Sequence, residues 1–197
     1  MLQQGGNFIR GQAQYADVNG DGRADLIFQG NDNSFKLSLS NGSGFDTPVS
    51  VLQEGGSFVR GQAQYADMNG DGKADLIFQG NDNTFNVALS TGTGFASPFV
   101  AMAHGGGTTF VEGQARYADV NADGRADLIF QDNDNTFWVS VSDGASFAGM
   151  TKTFAALDHG GSFVLGQAGF ADFNGDGRSD LMFQSTDNRF WLSSGYA

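Results

Sequence analysis

Four times along the chain, aspartate, asparagine and glycine recur at fixed offsets in the pattern Asp-x-Asn-x-Asp-Gly-x-x-Asp. The first instance is Asp17, Asn19, Asp21, Gly22 and Asp25, and the second is Asp67, Asn69, Asp71, Gly72 and Asp75. The third is Asp119, Asn121, Asp123, Gly124 and Asp127, and the fourth Asp172, Asn174, Asp176, Gly177 and Asp180. Side-chain oxygens at positions one, three and five converge when a chain curls around a point, and Gly at position six permits the sharp turn. A backbone carbonyl at position seven adds one more oxygen, here from Arg23, Lys73, Arg125 or Arg178. Hard oxygens in such numbers suit calcium, which takes six to eight of them, better than magnesium, which keeps more of its water. The expectation is one calcium per copy and four per chain.

The loop begins like an EF-hand and ends differently. Position twelve is Phe28, Phe78, Phe130 or Phe183 rather than Glu, and the closing carboxylate is the Asp at position nine, directly before a strand. The alternative is a plain polar turn, since Asn, Asp and Gly favour turns in any case. Two observations favour the metal. Three carboxylates within about 5 Å repel by roughly 3 kcal/mol per pair at an effective dielectric of 20. The same ligand types also return in all four copies while neighbouring positions vary.

The loops explain the net charge of −12, since they hold three acidic residues per copy out of 22 in all. Four divalent cations would bring −12 to −4. Such acidity disfavours nucleic acid and anionic lipid as partners, and no apolar run approaches the roughly 18 residues that span a membrane. Met1 to Gln4 shows neither a basic region nor an apolar stretch of a signal peptide. With no Cys, there is no disulfide and no thiol chemistry.

The elements that position these loops follow from the repeat itself. Gly11 to Asp17 returns as Gly61 to Asp67, Gly113 to Asp119 and, more loosely, Gly166 to Asp172, spaced by 50 (67−17), 52 (119−67) and 53 (172−119). A period near 50 fits propeller blades, not helical solenoids. Within a copy, Gln12 to Ala16 reads as a first strand and Asp25 to Gln29 as a second. Phe35 to Ser40 alternates with period two, and Thr47 to Leu52 reads as an outer strand with Pro48 near its start. An all-β propeller of four-stranded antiparallel blades is expected, as one domain over 1–197. Its repeats are 5–54, 55–105, 106–159 and 160–197, with 1–4 able to complete the last blade, whose own outer strand is cut short after Trp191 to Ser194. Closure by two chains into an eight-bladed homodimer is expected over a four-bladed monomer.

These residues resemble the calcium-binding FG-GAP or VCBS-type β-propeller repeats. The resemblance rests on the Asp loop, the Ala-Asp-Leu-Ile-Phe strand after it (Ser-Asp-Leu-Met-Phe in the fourth copy) and the Gly44-Phe45 and Gly94-Phe95 ends. The family's Gly-Ala-Pro element is missing, and the third copy has Ser146-Phe147. The copies are also similar to blades of fungal lectins of the Psathyrella velutina type, propellers that bind N-acetylglucosamine. What the resemblance implies is a lectin-like module with structural calcium and a glycan such as N-acetylglucosamine as partner. The alternative is a structural or adhesive segment of a larger surface protein.

No catalytic constellation is visible, so an enzyme is not expected. His104 and His159 sit in repeated linkers, too isolated for a triad or a transition-metal site. Gly55 to Gly61 lacks the strand–loop–helix setting of a phosphate loop. Asp32, Asp82 and Asp134 read as turn formers. Trp138 and Trp191 occupy equivalent positions and are expected to pack between blades rather than to stack on a sugar. Extracellular calcium modules bind at roughly 10⁻⁴–10⁻³ M, so a secreted or surface location is expected.

Overall fold

The computed structural model describes residues 13–30, 34–53, 63–80, 84–103, 115–131, 137–153 and 168–194. They are all-β, and among them no helix is long and apolar enough to cross a membrane. The chain divides into two compact units, Met1–His104 and Gly105–Ala197.

Unit 1 holds two four-stranded antiparallel meanders. Sheet 1 runs β1 (Gln14–Ala16), β2 (Asp25–Gln29), β3 (Ser34–Ser38) and β4 (Val49–Gln53). Sheet 2 repeats it as β5 (Gln64–Ala66), β6 (Asp75–Gln79), β7 (Thr84–Ala88) and β8 (Phe99–Ala103). This strand order is that of a propeller blade. Register is the same in both: Tyr15 faces Leu26 and Phe28 faces Lys36, as Tyr65 faces Leu76 and Phe78 faces Asn86. Both sheets also shift register by a bulge at the same place on the third strand, Phe35/Lys36 and Phe85/Asn86.

The second strand is buried along its length in sheet 2, which is why Leu76 to Phe78 reads as a continuous apolar run rather than an alternating one. The outer strands β4 and β8 start just after Pro48 and Pro98, where an edge tolerates the missing amide. The core of the unit lies between its sheets. Val18, Ile27, Phe35 and Leu37 of sheet 1 pack against Leu76, Phe78 and Phe95 of sheet 2.

Unit 2 has one four-stranded and one three-stranded sheet. Sheet 3 contains β9 (Arg116–Ala118), β10 (Asp127–Gln131), β11 (Phe137–Ser140) and β12 (Thr151–Thr153). Sheet 4 contains β13 (Gly169–Ala171), β14 (Asp180–Gln184) and β15 (Phe190–Ser193). Val120, Ile129, Phe137 and Val139 pack against Leu181 and Phe183, and Trp191 lies against this cluster. Packing is thus the observed role of Trp191. Trp138 is half-buried opposite Phe130 in the ladder.

Candidate functional site

Each Asp loop joins the first strand of its sheet to the second, and each folds in the same way. In loop 1, Asp17 Oδ1 accepts the amides of Gly20 at 2.7 Å and Asp21 at 3.1 Å, and its Oδ2 accepts the amide of Gly22 at 2.7 Å. Asn19 Oδ1 accepts the same Asp21 amide at 3.0 Å. The amide at position five is therefore bracketed by side-chain oxygens from positions one and three. The bracket recurs at Asp71 (Asp67 and Asn69), at Asp123 (Asp119 and Asn121) and at Asp176 (Asp172 and Asn174). Gly22, Gly72, Gly124 and Gly177 all turn with φ between 81° and 85°, a left-handed backbone that a Cβ would strain.

Position five carries a partner that the sequence reading did not foresee. Arg23, Lys73 and Arg125, expected to contribute carbonyls, also place their cationic heads on Asp21, Asp71 and Asp123, at 2.5, 3.0 and 2.7 Å. Burial opposes ionisation of Asp21 and Asp71. Hydrogen bonds and the adjacent cation outweigh it and hold both carboxyls below the ordinary value. Asp172 is also held low, chiefly by the Gly177 amide.

The position-nine aspartates lie beneath the loops. Asp25, Asp75, Asp127 and Asp180 have no solvent exposure. Asp25 accepts the Val18 amide at 3.0 Å on one oxygen and the Ser40 amide at 2.8 Å on the other. Asp75 repeats this with Met68 and Ser90, and Asp127 with Val120 and Ser142. Burial pushes Asp75 and Asp127 up to about 6, with the loop carboxylates adding to the shift and the paired amides opposing it. Ser40, Ser90 and Ser142 each stand 15 residues after their Asp (40−25, 90−75, 142−127), a spacing that the repeat carries in the sequence.

Within each unit the two loops also touch. The Ala74 amide of loop 2 donates to the Asp17 carbonyl of loop 1 at 2.7 Å, and Ser90 Oγ donates to the Val18 carbonyl at 2.6 Å. In unit 2, the Ser179 amide donates to the Asp119 carbonyl at 2.7 Å.

The donor set of every loop is oxygen alone, the chemistry that a hard divalent cation requires. In this arrangement the carboxylates are spent on the loop's own amides. Among the described residues no group of three or more His, Cys, Asp or Glu side chains is gathered closely enough to hold a metal. Asp17 Oδ1 already accepts two amides, but Asp17 Oδ2 and Asn19 Oδ1 accept one each and keep a lone pair, so these oxygens remain suited to a cation. His104, His159, the Gly55–Gly61 segment, Asp32, Asp82, Asp134 and Met1–Gln4 lie outside the described residues.

A model of FG-GAP-like repeats matches residues 17–78, 67–130 and 119–183, each match running from one Asp loop to the second strand of the next sheet. The chain belongs to the FG-GAP-like repeat family. No curated protein matches it. Among solved structures, an Agrocybe aegerita lectin described as recognising non-reducing terminal N-acetylglucosamine is similar at 24% identity and a TM-score of 0.70. That likeness covers 93% of this FG-GAP-like chain and 51% of the lectin chain, about half its length. A Photorhabdus luminescens Tc holotoxin pore is similar at 20% identity and a TM-score of 0.62, over 93% of this chain and 9% of that one. A TcdB2–TccC3–Cdc42 complex matches 71% of this chain and 7% of its own, at 25% identity and a TM-score of 0.57.

Proposed function

We propose that this chain is a calcium-stabilised, non-enzymatic propeller module of the lectin kind. The observation that carries the calcium reading is the oxygen bracket around the position-five amide, made in all four loops by the same residue types. Positions one, three, five and nine, with the carbonyl at seven, would hold the ion. Its role is to neutralise clustered carboxylates and to lock the turn between first and second strands. A bound ion would share these oxygens with the loop amides that already shape the turn, so loop and cation would stabilise the same fold.

The sugar reading is supported by the fold shared with the Agrocybe lectin, and a terminal N-acetylglucosamine is the glycan to test first. Several similar sheets would give several weak sites, which together bind a multivalent surface tightly. Weak calcium loops suit an extracellular setting, so the module is assigned a secreted or surface location. The Tc toxin likenesses favour a second reading, a structural segment within a larger surface protein, because there the shared fold occupies under a tenth of the chain.

Titration calorimetry on chelator-stripped protein tests the ion. Four calcium ions per chain are expected, falling to three with Asp21→Ala, and calcium is expected to raise the melting temperature. A melting curve indifferent to both chelator and calcium would overturn the metal reading. A glycan array probed with loaded protein separates the other two, since silence on every glycan leaves the structural segment.

A further inference from the structure

The dipeptide Asn-Gly, in which the glycine offers an unhindered backbone nitrogen to the asparagine side chain, occurs four times in the chain. Three of the pairs lie in Asp loops: Asn19-Gly20, Asn69-Gly70 and Asn174-Gly175. The fourth, Asn41-Gly42, opens the turn after β3, where Asn41 to Thr47 are all exposed. In the loops the glycine nitrogen is engaged. The amides of Gly20, Gly70 and Gly175 donate to Oδ1 of Asp17, Asp67 and Asp172 at 2.7, 2.7 and 2.6 Å. An amide beside a carboxylate resists losing its proton, because the anion left behind would face a like charge. Gly42 is held far more loosely, its amide reaching the neutral Ser40 Oγ at 3.4 Å. The side-chain carbonyl of Asn41 is also polarised. Its Oδ1 accepts the Ser43 amide at 3.1 Å and the Ser43 hydroxyl at 2.9 Å, while its Nδ2 donates to Asp46 Oδ1 at 3.1 Å. Two donors on Oδ1 stabilise the negative charge that builds there when Cγ is attacked.

We infer that Asn41 is a site of spontaneous deamidation in the folded protein, and that the Asp at position one protects the three loop asparagines from the same reaction. The Gly42 nitrogen, its proton lost to solvent, forms a bond to Cγ of Asn41. The Cγ–Nδ2 bond breaks, and Nδ2 takes a proton from water and leaves as ammonia. Water then opens the resulting succinimide at either carbonyl, leaving Asp or isoaspartate at position 41. The Asp product fits the turn, because the third copy already carries Asp143 there. Asp143 Oδ1 accepts the Ala145 and Ser146 amides at 2.9 and 2.6 Å. Its turn closes like that of Asn41: the Asn41 amide donates to the Gly44 carbonyl and the Asp143 amide to the Ser146 carbonyl, both at 3.0 Å. The isoaspartyl product instead lengthens the backbone inside this closed turn, next to Ser40, whose amide Asp25 holds at 2.8 Å. The reaction uses neither a cation nor a sugar, so it stands apart from the proposed function.

Peptide mass spectrometry on the full chain, aged at mildly alkaline pH with chelator, tests this. Cleavage after Lys and Arg puts each of the four asparagines on a separate peptide. In the folded protein Asn41 is expected to convert about tenfold or more faster than Asn19, Asn69 or Asn174, with its peptide splitting into an Asp and an isoaspartyl form. In concentrated urea the four are expected to convert at similar rates. Asp17→Ala frees the Gly20 amide and should speed conversion at Asn19 while leaving Asn41 unchanged. Ser43→Ala, on the exposed turn, removes one donor from Asn41 Oδ1 and should slow Asn41 with the β circular dichroism spectrum kept; it serves alone should Asp17→Ala fail to fold. A folded protein in which Asn41 converts no faster than the loop asparagines overturns the inference. So does a preference for Asn41 that persists unchanged in urea, since local sequence and not the fold would then select it.

Discussion

At position four of the Asp loops the backbone turns left-handed, and three loops use Gly20, Gly70 and Gly175 there, with φ between 74° and 80°. The third loop makes the same turn with Ala122 at φ 62°. A left-handed residue with a Cβ costs about 1–2 kcal/mol, while glycine costs roughly 0.5–1 kcal/mol in unfolded-chain entropy. Ala122→Gly is therefore expected to stabilise the protein by about 0.5–1 kcal/mol, read as a higher urea midpoint with an unchanged slope. The residue types of these loops are legible in the sequence because turn geometry and oxygen chemistry restrict them so tightly. The fate of each oxygen is not, because a carboxylate is satisfied by an amide as readily as by a cation. Asp25 illustrates this: its type and spacing read as a closing ligand, and the fold sets it beneath the loop on the amides of Val18 and Ser40.

Strands are held to one another by ladders, but sheets are held by few polar bonds, and Ser90 makes one of them. Its hydroxyl donates to the Val18 carbonyl of sheet 1 at 2.6 Å and accepts the Gly92 amide at 3.0 Å. Ser90→Ala leaves both groups of a buried site short of a partner and should cost about 1–3 kcal/mol. Ser40, its counterpart in sheet 1, receives the Gly42 amide at 3.4 Å, near the limit of a hydrogen bond. Ser40→Ala should cost less than about 0.5 kcal/mol, and comparing the two urea midpoints isolates the bond between sheets. The strands themselves are largely legible: Asp25 to Gln29 is found as read. The ends are less so. The outer strand was expected over Thr47 to Leu52 and runs Val49–Gln53, because the Asp46 amide turns back to the Leu39 carbonyl and Pro48 has no amide for the ladder. The first strand is described over Gln14–Ala16, with Ala13 outside it, and Gln12, where it was expected to begin, lies outside the described residues. Strand limits depend on pairing partners, which a local pattern does not contain.

For the molecule as a whole, a net charge of −12 makes stability a matter of what neutralises the acid groups. Asp75 and Asp127 sit near 6, raised first by burial, so in metal-free protein the folded state binds more protons than the unfolded chain between about pH 4 and 6. Stability from these two groups is fully present below that window and is lost as pH rises through 6, on the order of 1–3 kcal/mol each. Asp21, Asp71 and Asp172 act in the opposite sense. Their lowered values favour folding above about 4, and that contribution is lost as pH falls further. Chelated protein should therefore melt at a higher temperature at pH 5 than at pH 7, and lose stability again below pH 4. Calcium should reverse the first comparison, because protons then compete with the cation for the same oxygens. In millimolar calcium the melting temperature at pH 7 should exceed that at pH 5. Scanning calorimetry at both values, with chelator and with calcium, checks the crossing. If the two buffers give the same order, the loop carboxylates are paired with their amides alone and take no cation.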